Sequence, residues 1–284
     1  MNLALAALLA GATCIALSPI WVRLADVGPT ASAFWRVALA APLLWLLAAA
    51  AERRRAAPRL PARGCVLAGL AFAGDLAFWH WSIALTSVAN STLLANLATL
   101  FVTLAAWLFW RERPRPLFLA GLAAALAGVA MLVRASLAWS PSALLGDALG
   151  VLTAAFYAGY LLAMKSVRDR GAPTVRLMAV TSSITALALL PLALGSGEAL
   201  LPGTGEGWLV LAGLAWISHA GGQGLIAWSL AHLPAAFSSV SLLFQPVMAA
   251  AFAWLLLAEP LAPLQVAGGA VVLAGIWLAR RGSA

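Results

Sequence analysis

The sequence predicts an all-α membrane protein in which ten transmembrane helices form two inverted five-helix repeats around a central cavity. Three observations support this fold class. Hydrophobic residues make up 64% of the chain and charged residues only 9%, whereas a soluble domain carries about 25% charged residues. The segment 81–121 recurs, almost without a gap, as 228–268. Arginine and lysine are concentrated in alternate linkers, which is the positive-inside pattern of a multi-pass protein.

Apolar stretches follow one another along the whole chain, and a helix needs about 20 apolar residues to cross the hydrocarbon. In order, the predicted spans are 3–24, 29–50, 64–85, 88–109, 117–133, 144–164, 175–194, 207–230, 234–257 and 264–278. Short linkers separate them, and glycines or prolines stand in these linkers at 28–29, 58–61, 114–116, 171–173, 202–203 and 260–263. Such residues end helices because proline lacks an N–H and glycine adopts turn conformations.

The internal repeat divides the chain into two related halves, predicted as residues 1–142 and 143–284. The matched pairs include Trp81 with Trp228, Ser91 with Ser238, Trp107 with Trp254, Glu112 with Glu259 and Gly121 with Gly268. A recurrence of this kind is the signature of a repeat architecture. Each half has five spans, an odd number, so the second half crosses the membrane in the opposite sense. That arrangement lets a central site open to either side in turn.

The basic residues orient the chain in the membrane. If the N-terminus is cytoplasmic, the cytoplasmic side contains the clusters at 53–63, 111–115, 165–176 and 280–281, and the other side contains only Arg23 and Arg134. The positive-inside rule therefore predicts that both termini are cytoplasmic. The formal charge of +8 does not indicate a nucleic-acid partner, because the basic residues form no continuous face with interleaved aromatic residues.

The sequence carries no motif for enzyme or cofactor chemistry. Cys14 and Cys65 lie in apolar stretches without a CxxC or a histidine at metal spacing, so neither a disulfide nor a metal site is expected. A usable GxSG, an HExxH, a mid-depth carboxylate pair and a nucleotide-binding loop are also lacking. We therefore expect no cofactor and no catalytic residues.

The chain resembles the drug/metabolite transporter superfamily, in particular its ten-span EamA-type members. The resemblance rests on Arg23 and Lys165 at helix ends, Pro29 followed by Phe34, Trp35 and Arg36, the matched segments 84–89 and 231–236, and the Trp-Leu-x-x-x-Glu endings at 107–112 and 254–259. Among these members it looks most like the YddG-type amino-acid exporters of the bacterial inner membrane. One departure is Thr99, which stands where the family has proline, while Pro246 is kept. The two halves are therefore expected to bend differently.

Polar side chains near the middle of the spans are the candidates for a substrate cavity, because polar groups at that depth are costly and usually functional. The predicted cavity residues are Asp75, Trp79, His80, Asn96, Thr99, Tyr157, Tyr160, His219, Gln223, Ser241 and Gln245. Their helical spacing gives polar and aromatic stripes on spans three, four, six, eight and nine. In the resembled family these spans, with the first, line a central cavity. For each residue the alternative is a hydrogen bond that joins neighbouring helices.

The charged residues within or beside the spans have several interpretations. Asp75, the only acidic residue deep in a span, is a proton-coupling group, a site for a substrate ammonium or a structural hydrogen-bond acceptor. His219 is the second candidate for proton coupling. Arg36 meets a substrate carboxylate, extends to the membrane surface or pairs with Asp26. Arg36, Glu112, Glu259 and Pro246 are predicted to be structural or gating residues.

These observations predict a secondary transporter that exports amino acids, including aromatic or other amphiphilic metabolites, across the bacterial inner membrane by alternating access. The alternatives are an exporter of drugs or other metabolites in the same superfamily, and a passive uniporter or channel. The expected partners are a small-molecule substrate and the lipid bilayer, and the chain is expected to function as a monomer.

Overall fold

The computed structural model describes residues 2–52, 59–85, 88–111, 113–133, 143–258 and 260–283. Within these residues the helices group into segments that we number α1 to α10. They are α1 (Asn2–Ala16 and Ser18–Leu24), α2 (Pro29–Ala38 and Ala40–Glu52), α3 (Ala62–Leu85), α4 (Val88–Ala95 and Ala98–Trp110), α5 (Pro116–Val133), α6 (Ala143–Asp169), α7 (Thr174–Gly195), α8 (Gly205–Gly213, Leu214–Gln223 and Gly224–Ser229), α9 (Ala235–Ser241 and Phe244–Leu257) and α10 (Pro263–Gly282).

Eight of these segments are long and apolar enough to cross a membrane, and large apolar side chains cover much of the outer surface. The other two apolar helices are shorter: Leu93–Phe109 within α4 and Pro116–Leu132 within α5. The structure is thus a multi-pass helical membrane protein, and the full count of ten spans stays a prediction. Glu112 and Glu259 lie outside the described residues, as does most of the predicted boundary between the halves.

Several helices are interrupted near the middle of the membrane, and the sequence explains most of the breaks. α1 breaks at Leu17, α2 at Leu39 and α9 at Leu242–Leu243. Each break is followed within three or four residues by a proline, at positions 19, 42 and 246. Proline lacks the N–H that would continue the helical hydrogen-bond ladder.

α4 breaks at Asn96–Leu97 without a proline. The Thr99 hydroxyl donates to the Asn96 carbonyl at 3.1 Å, and a threonine bonded back to its own helix bends it. In the register of the repeat, this break lies within one residue of the break in α9. The difference between Thr99 and Pro246 was expected to make the two halves bend differently. The structure instead places the breaks of α4 and α9 at nearly equivalent positions of the repeat.

α8 contains a π-helical segment, Leu214–Gln223, between two α-helical pieces. In a π-helix the hydrogen bonds run from residue i to i+5, so the side-chain spacing differs from that of an α-helix. As a result Trp216 does not share a face with His219 and Gln223 as the sequence spacing predicts. Trp216 is exposed and donates to the Leu39 carbonyl, whereas His219 and Gln223 are buried.

Glycines hold α5 and α10 together over their whole length. A Cβ built on Gly121 would lie 2.6 Å from the Gly275 carbonyl oxygen, and one built on Gly128 would lie 2.7 Å from that of Gly268. The order of these contacts shows that α5 and α10 run antiparallel. Because Gly121 and Gly268 are matched positions of the repeat, the two halves meet here through equivalent surfaces, as an inverted repeat requires.

Two further helix pairs are related in the same way. Residues 64, 74 and 82 of α3 contact residues 167, 156 and 146 of α6, so these helices are antiparallel. Residues 11, 14 and 21 of α1 contact residues 222, 218 and 213 of α8, again antiparallel. α1 and α6 are corresponding first helices of the two halves, and α3 and α8 are corresponding third helices. The two pairs therefore repeat one packing arrangement.

One end of the bundle, which we call the 25–28 face, is held by reciprocal caps between the halves. Glu198 accepts from the Thr30 hydroxyl and the Ala31 N–H at the start of α2, both at 2.9 Å. Asp26 accepts from the backbone of Gly203 and Thr204 and from the Thr204 hydroxyl, which precede α8. Carboxylates at helix N-termini stabilise the unpaired N–H groups there. The caps fix the starts of α2 and α8 beside each other.

Candidate functional site

A cavity of about 170 Å³ lies among the middle parts of α1, α2, α3, α4, α6, α8 and α9. Six of the predicted cavity residues line it: Asp75, Trp79, Asn96, Tyr157, Gln223 and Gln245. Every helix predicted to carry a polar stripe contributes at least one of them. The interrupted helices α4 and α9 both line the cavity beside their breaks. α4 does so through Asn96, and α9 through Gln245 and Pro246. Interrupted helices at mid-membrane are where membrane transporters place their binding sites.

The other predicted cavity residues lie elsewhere and bind their own or neighbouring helices. The hydroxyls of Thr99 and Ser241 donate to carbonyls of their own helices, and His80 Nδ1 contacts the Leu76 carbonyl. The Tyr160 hydroxyl faces Met178 Sδ at 3.8 Å, and His219 Nε2 lies 2.8 Å from the Ser182 hydroxyl. These are the alternative roles that the sequence left open for such residues.

Arg36 is on the cavity wall and does not reach the membrane surface. Its side chain is only 8% exposed, and its guanidinium lies 5.9 Å from the centre of the Phe72 ring. It does not pair with Asp26, because that carboxylate is the acceptor in the cap at the start of α8. Of the alternatives for Arg36, extension to the surface and pairing with Asp26 are wrong. It stands inside the bundle as a buried cation beside an open space.

Asp75 brings the opposite charge to the same cavity. It lies on α3, and its carboxylate and the Arg36 guanidinium attract each other electrostatically. Among the described residues the two groups form no ion pair within 4.0 Å; the described ion pairs join Lys165 to Asp169 and Arg176 to Glu52. The cavity therefore holds a separated positive and negative charge in a medium where charges are costly.

Half of the buried polar atoms that lack a protein partner in the described residues belong to side chains that line the cavity. In the part of the chain that the structure describes, these atoms include Ser18 Oγ, Arg36 Nε, Thr153 Oγ1, Gln223 Oε1 and Gln245 Nε2, and all five residues line the cavity. The Tyr157 hydroxyl lies beside the amides of Gln223 and Gln245. Buried polar groups are nearly always hydrogen-bonded in folded proteins. This cluster can therefore donate hydrogen bonds to, and accept them from, a polar molecule within the cavity.

A layer of aromatic rings adjoins the cavity, and two of its members, Phe72 and Tyr157, also line it. Phe72 packs against Tyr160 at 4.6 Å and stacks on His219 at 5.3 Å, measured between ring centres. Tyr157, which lines the cavity, stacks on Tyr160 at 6.1 Å. His219 belongs to this layer rather than to the cavity wall.

Ser18, Pro19, Phe72 and Thr153 also line the cavity but were not among the predicted site residues. A proline within the first span was the available signal for Ser18 and Pro19. The repeat was the available signal for Phe72, which precedes Trp81 by the same interval by which His219 precedes Trp228. The two residues occupy equivalent positions and stack on each other across the junction of the halves.

Comparison with models of protein families shows which family the chain matches. The model of the EamA-like transporter family matches residues 2–134 and again residues 144–281. The chain belongs to the EamA-like transporter family. Membership makes it a membrane transporter of small molecules and places it in a family of transporters rather than enzymes. The two matches also agree with a two-repeat architecture, as the sequence predicts.

Solved structures share the fold of this chain. One, described only as "Crystal structure of protein", has a TM-score of 0.81 to this chain at 19% identity, covering 99% of this chain and 96% of that one. At this identity the likeness establishes the fold alone. No curated protein matched the chain. A YddG-type relationship within the superfamily and a particular substrate are not resolved by these comparisons.

Proposed function

We propose that this EamA-like transporter exports amino acids, or amphiphilic metabolites of similar size, across the bacterial inner membrane by alternating access. The observation that carries the proposal is the mid-membrane cavity between interrupted α4 and α9, which holds a buried cation, a carboxylate and unpartnered amides and hydroxyls. The proposed orientation has both termini in the cytoplasm, on the strength of the arginine and lysine clusters. The 25–28 face would then be external.

The size of the cavity favours a small metabolite over a drug. Pockets for drug-sized ligands measure roughly 300–1,000 Å³, whereas this cavity measures about 170 Å³. A water molecule takes about 30 Å³ in the liquid, so the space exceeds what one or two waters need. Its walls combine apolar rings, such as those of Phe72 and Trp79, with polar groups. An amphiphilic solute of amino-acid size suits this combination.

Alternating access is supported by the packing of equivalent helices across the junction of the halves. In this proposal the two barriers are the aromatic layer, which adjoins the cavity, and the reciprocal caps of Asp26 and Glu198, which lie at one end of the bundle. An exchange of access requires that one barrier loosens while the other closes. In this proposal Asp75 is preferred over His219 for proton coupling, because Asp75 lines the cavity and His219 does not.

The proposal is tested with purified protein in proteoliposomes and a panel of radiolabelled amino acids. We expect saturable uptake that is accelerated by the same unlabelled amino acid on the opposite side. Gln245→Leu should raise KM at least tenfold because it removes an amide from the cavity wall. The same substitution at Gln265, which caps the start of α10 outside the cavity, should leave KM unchanged.

Other outcomes would support the alternatives. Flux that does not saturate and shows no counterflow would support a channel and refute alternating access. Saturable transport of cationic drugs, without transport of any amino acid, would identify a drug exporter instead.

A further inference from the structure

The cavity is lined by one buried cation and one carboxylate, and these two groups do not form an ion pair with each other. Arg36 on α2 and Asp75 on α3 face the same space, and in the described part of the chain neither forms an ion pair. Arg36 Nε has no hydrogen-bond partner there, and the guanidinium lies over the face of the Phe72 ring. Ionised groups within a membrane nearly always pair with an opposite charge or with polar partners. A bound solute is the natural source of such partners.

The neutral groups that lack a partner also supply one donor, like the cation, and one acceptor, like the carboxylate. Gln245 Nε2 is a donor and Gln223 Oε1 is an acceptor, and both are buried without a partner in the described residues. A carboxylate accepts hydrogen bonds, and the guanidinium of arginine is the side chain best shaped to donate two of them. An ammonium only donates, so it needs acceptors such as a carboxylate and an amide oxygen. The cavity therefore offers donors and acceptors for both ends of a zwitterion.

We propose that the cavity recognises zwitterionic α-amino acids by their two charged ends, with Arg36 binding the carboxylate and Asp75 binding the ammonium. The proposal rests on the proposed function, because it specifies which charges of the transported solute meet which residues. Gln245 adds a donor and Gln223 an acceptor to the wall of the same cavity. Solutes that lack either charge leave one buried ion without its counterpart.

The test measures binding separately from transport. The full-length protein in detergent is titrated with leucine, leucine methyl ester, which lacks the carboxylate, and N-acetyl-leucine, which lacks the ammonium. Isothermal titration calorimetry gives a Kd for each compound. Wild-type protein is expected to bind leucine at least tenfold more tightly than either derivative.

The two variants are expected to give a crossed pattern. Arg36→Gln should bind leucine and its methyl ester equally, while it still prefers both over N-acetyl-leucine. Asp75→Asn should bind leucine and N-acetyl-leucine equally, while it still prefers both over the methyl ester. The controls are Arg281→Gln, an exposed arginine that stacks on Trp277, and Asp169→Asn, which is paired with Lys165. Both controls should keep the wild-type order.

The outcomes separate this inference from the proposed function. Equal weakening of all three compounds in both variants would show a structural role for the two charges and overturn the inference. Recovery of wild-type binding in the double variant Arg36→Gln/Asp75→Asn would show that the two residues serve only each other, and would also overturn it. If proteoliposomes with wild-type protein show no saturable transport of any amino acid, the proposed function fails instead. Saturable transport of leucine without the crossed pattern leaves that function standing and refutes only the charge assignment.

Discussion

The glycine contacts between α5 and α10 allow the sharpest prediction of stability. A Cβ added at Gly275 would lie 2.5 Å from the backbone nitrogen of Ala125 and 2.7 Å from the carbonyl oxygen of Gly121. Ordinary contacts of a Cβ begin at 3.4 Å, so the helices must separate by about 0.9 Å to accept one methyl group. The obstructing atoms belong to the backbone, and no side-chain rotation can relieve the contact. Gly275→Ala should therefore destabilise the protein.

The magnitude follows from the packing that is lost. Without a hydrophobic driving force inside lipid, helices associate mainly through van der Waals contact and hydrogen bonds. A gap of 0.5–1 Å forfeits roughly a quarter to a half of each contact of about 0.1–0.2 kcal/mol. Over a few tens of atom pairs the loss is about 1–3 kcal/mol, which is also the usual cost of overpacking a core.

The assay is the apparent melting temperature of the purified protein in detergent, followed by tryptophan fluorescence. The matched control is Gly269→Ala on the same helix, where the new Cβ would lie 3.5 Å from Val247 Cγ1, an ordinary contact. Both changes gain the same helix propensity, about 1 kcal/mol for alanine over glycine, so the difference between them isolates the close approach. If Gly275→Ala melts at or above the temperature of Gly269→Ala, the glycine contacts do not hold the halves together.

Three further predictions concern the caps, the aromatic layer and proton coupling. Asp26→Ala and Glu198→Ala should each lower the free energy of unfolding by about 1–2 kcal/mol, as the loss of a helix cap does; no change in melting temperature would refute the role of the caps. Ser182→Ala should cost about 1–3 kcal/mol because it leaves a buried imidazole nitrogen unpaired, and His219→Phe in the Ser182→Ala background should recover part of that loss, whereas a further loss would contradict this explanation. A pH gradient across proteoliposomes should change the rate of wild-type uptake, and Asp75→Asn should abolish that response; an equal response in both proteins would exclude Asp75 as the coupling group.

The sequence predicts the course of the helices well because hydropathy and helix-ending residues act locally. The predicted span 207–230 is Gly205–Ser229 in the structure, and the predicted span 264–278 is Pro263–Gly282. Hydropathy does not report the hydrogen-bond register within a span, so it cannot predict the π-helical segment Leu214–Gln223. Prolines follow the breaks in the first, second and ninth spans, but Pro191 lies inside the continuous helix α7, so a proline alone does not predict a break. At the break in α4 the Thr99 hydroxyl donates to the Asn96 carbonyl, whereas Thr181 bonds back in the same way within an unbroken helix.

The candidate site is harder to predict because the same side chains serve two purposes. The hydroxyls of Thr99 and Ser241 donate to carbonyls of their own helices and do not line the cavity, whereas Ser18 and Thr153 do line it. The glutamine amides do line it, and each leaves one atom without a partner among the described residues. Arg36 shows the opposite difficulty. Its position two turns inside the second span suits both extension to the surface and burial, and only the packing of Phe72 against it decides for burial.

The helices at the junction of the halves are close to two-fold symmetric, but the charged side chains of the cavity are not. This difference affects how a solute would be held. Phe72 and His219 occupy equivalent positions and stack on each other, so the scaffold at the junction is close to two-fold symmetric. The charges are not symmetric, because Arg36 and Asp75 both belong to the first half, whereas Gln223 and Gln245 from the second half are neutral. A solute bound to both charges would stay with the first half while the second half moves past it. The second half would have to break its hydrogen bonds to the solute as it moves. Its neutral amides suit this movement, since a hydrogen bond to an amide is broken at lower cost than one to a buried ion.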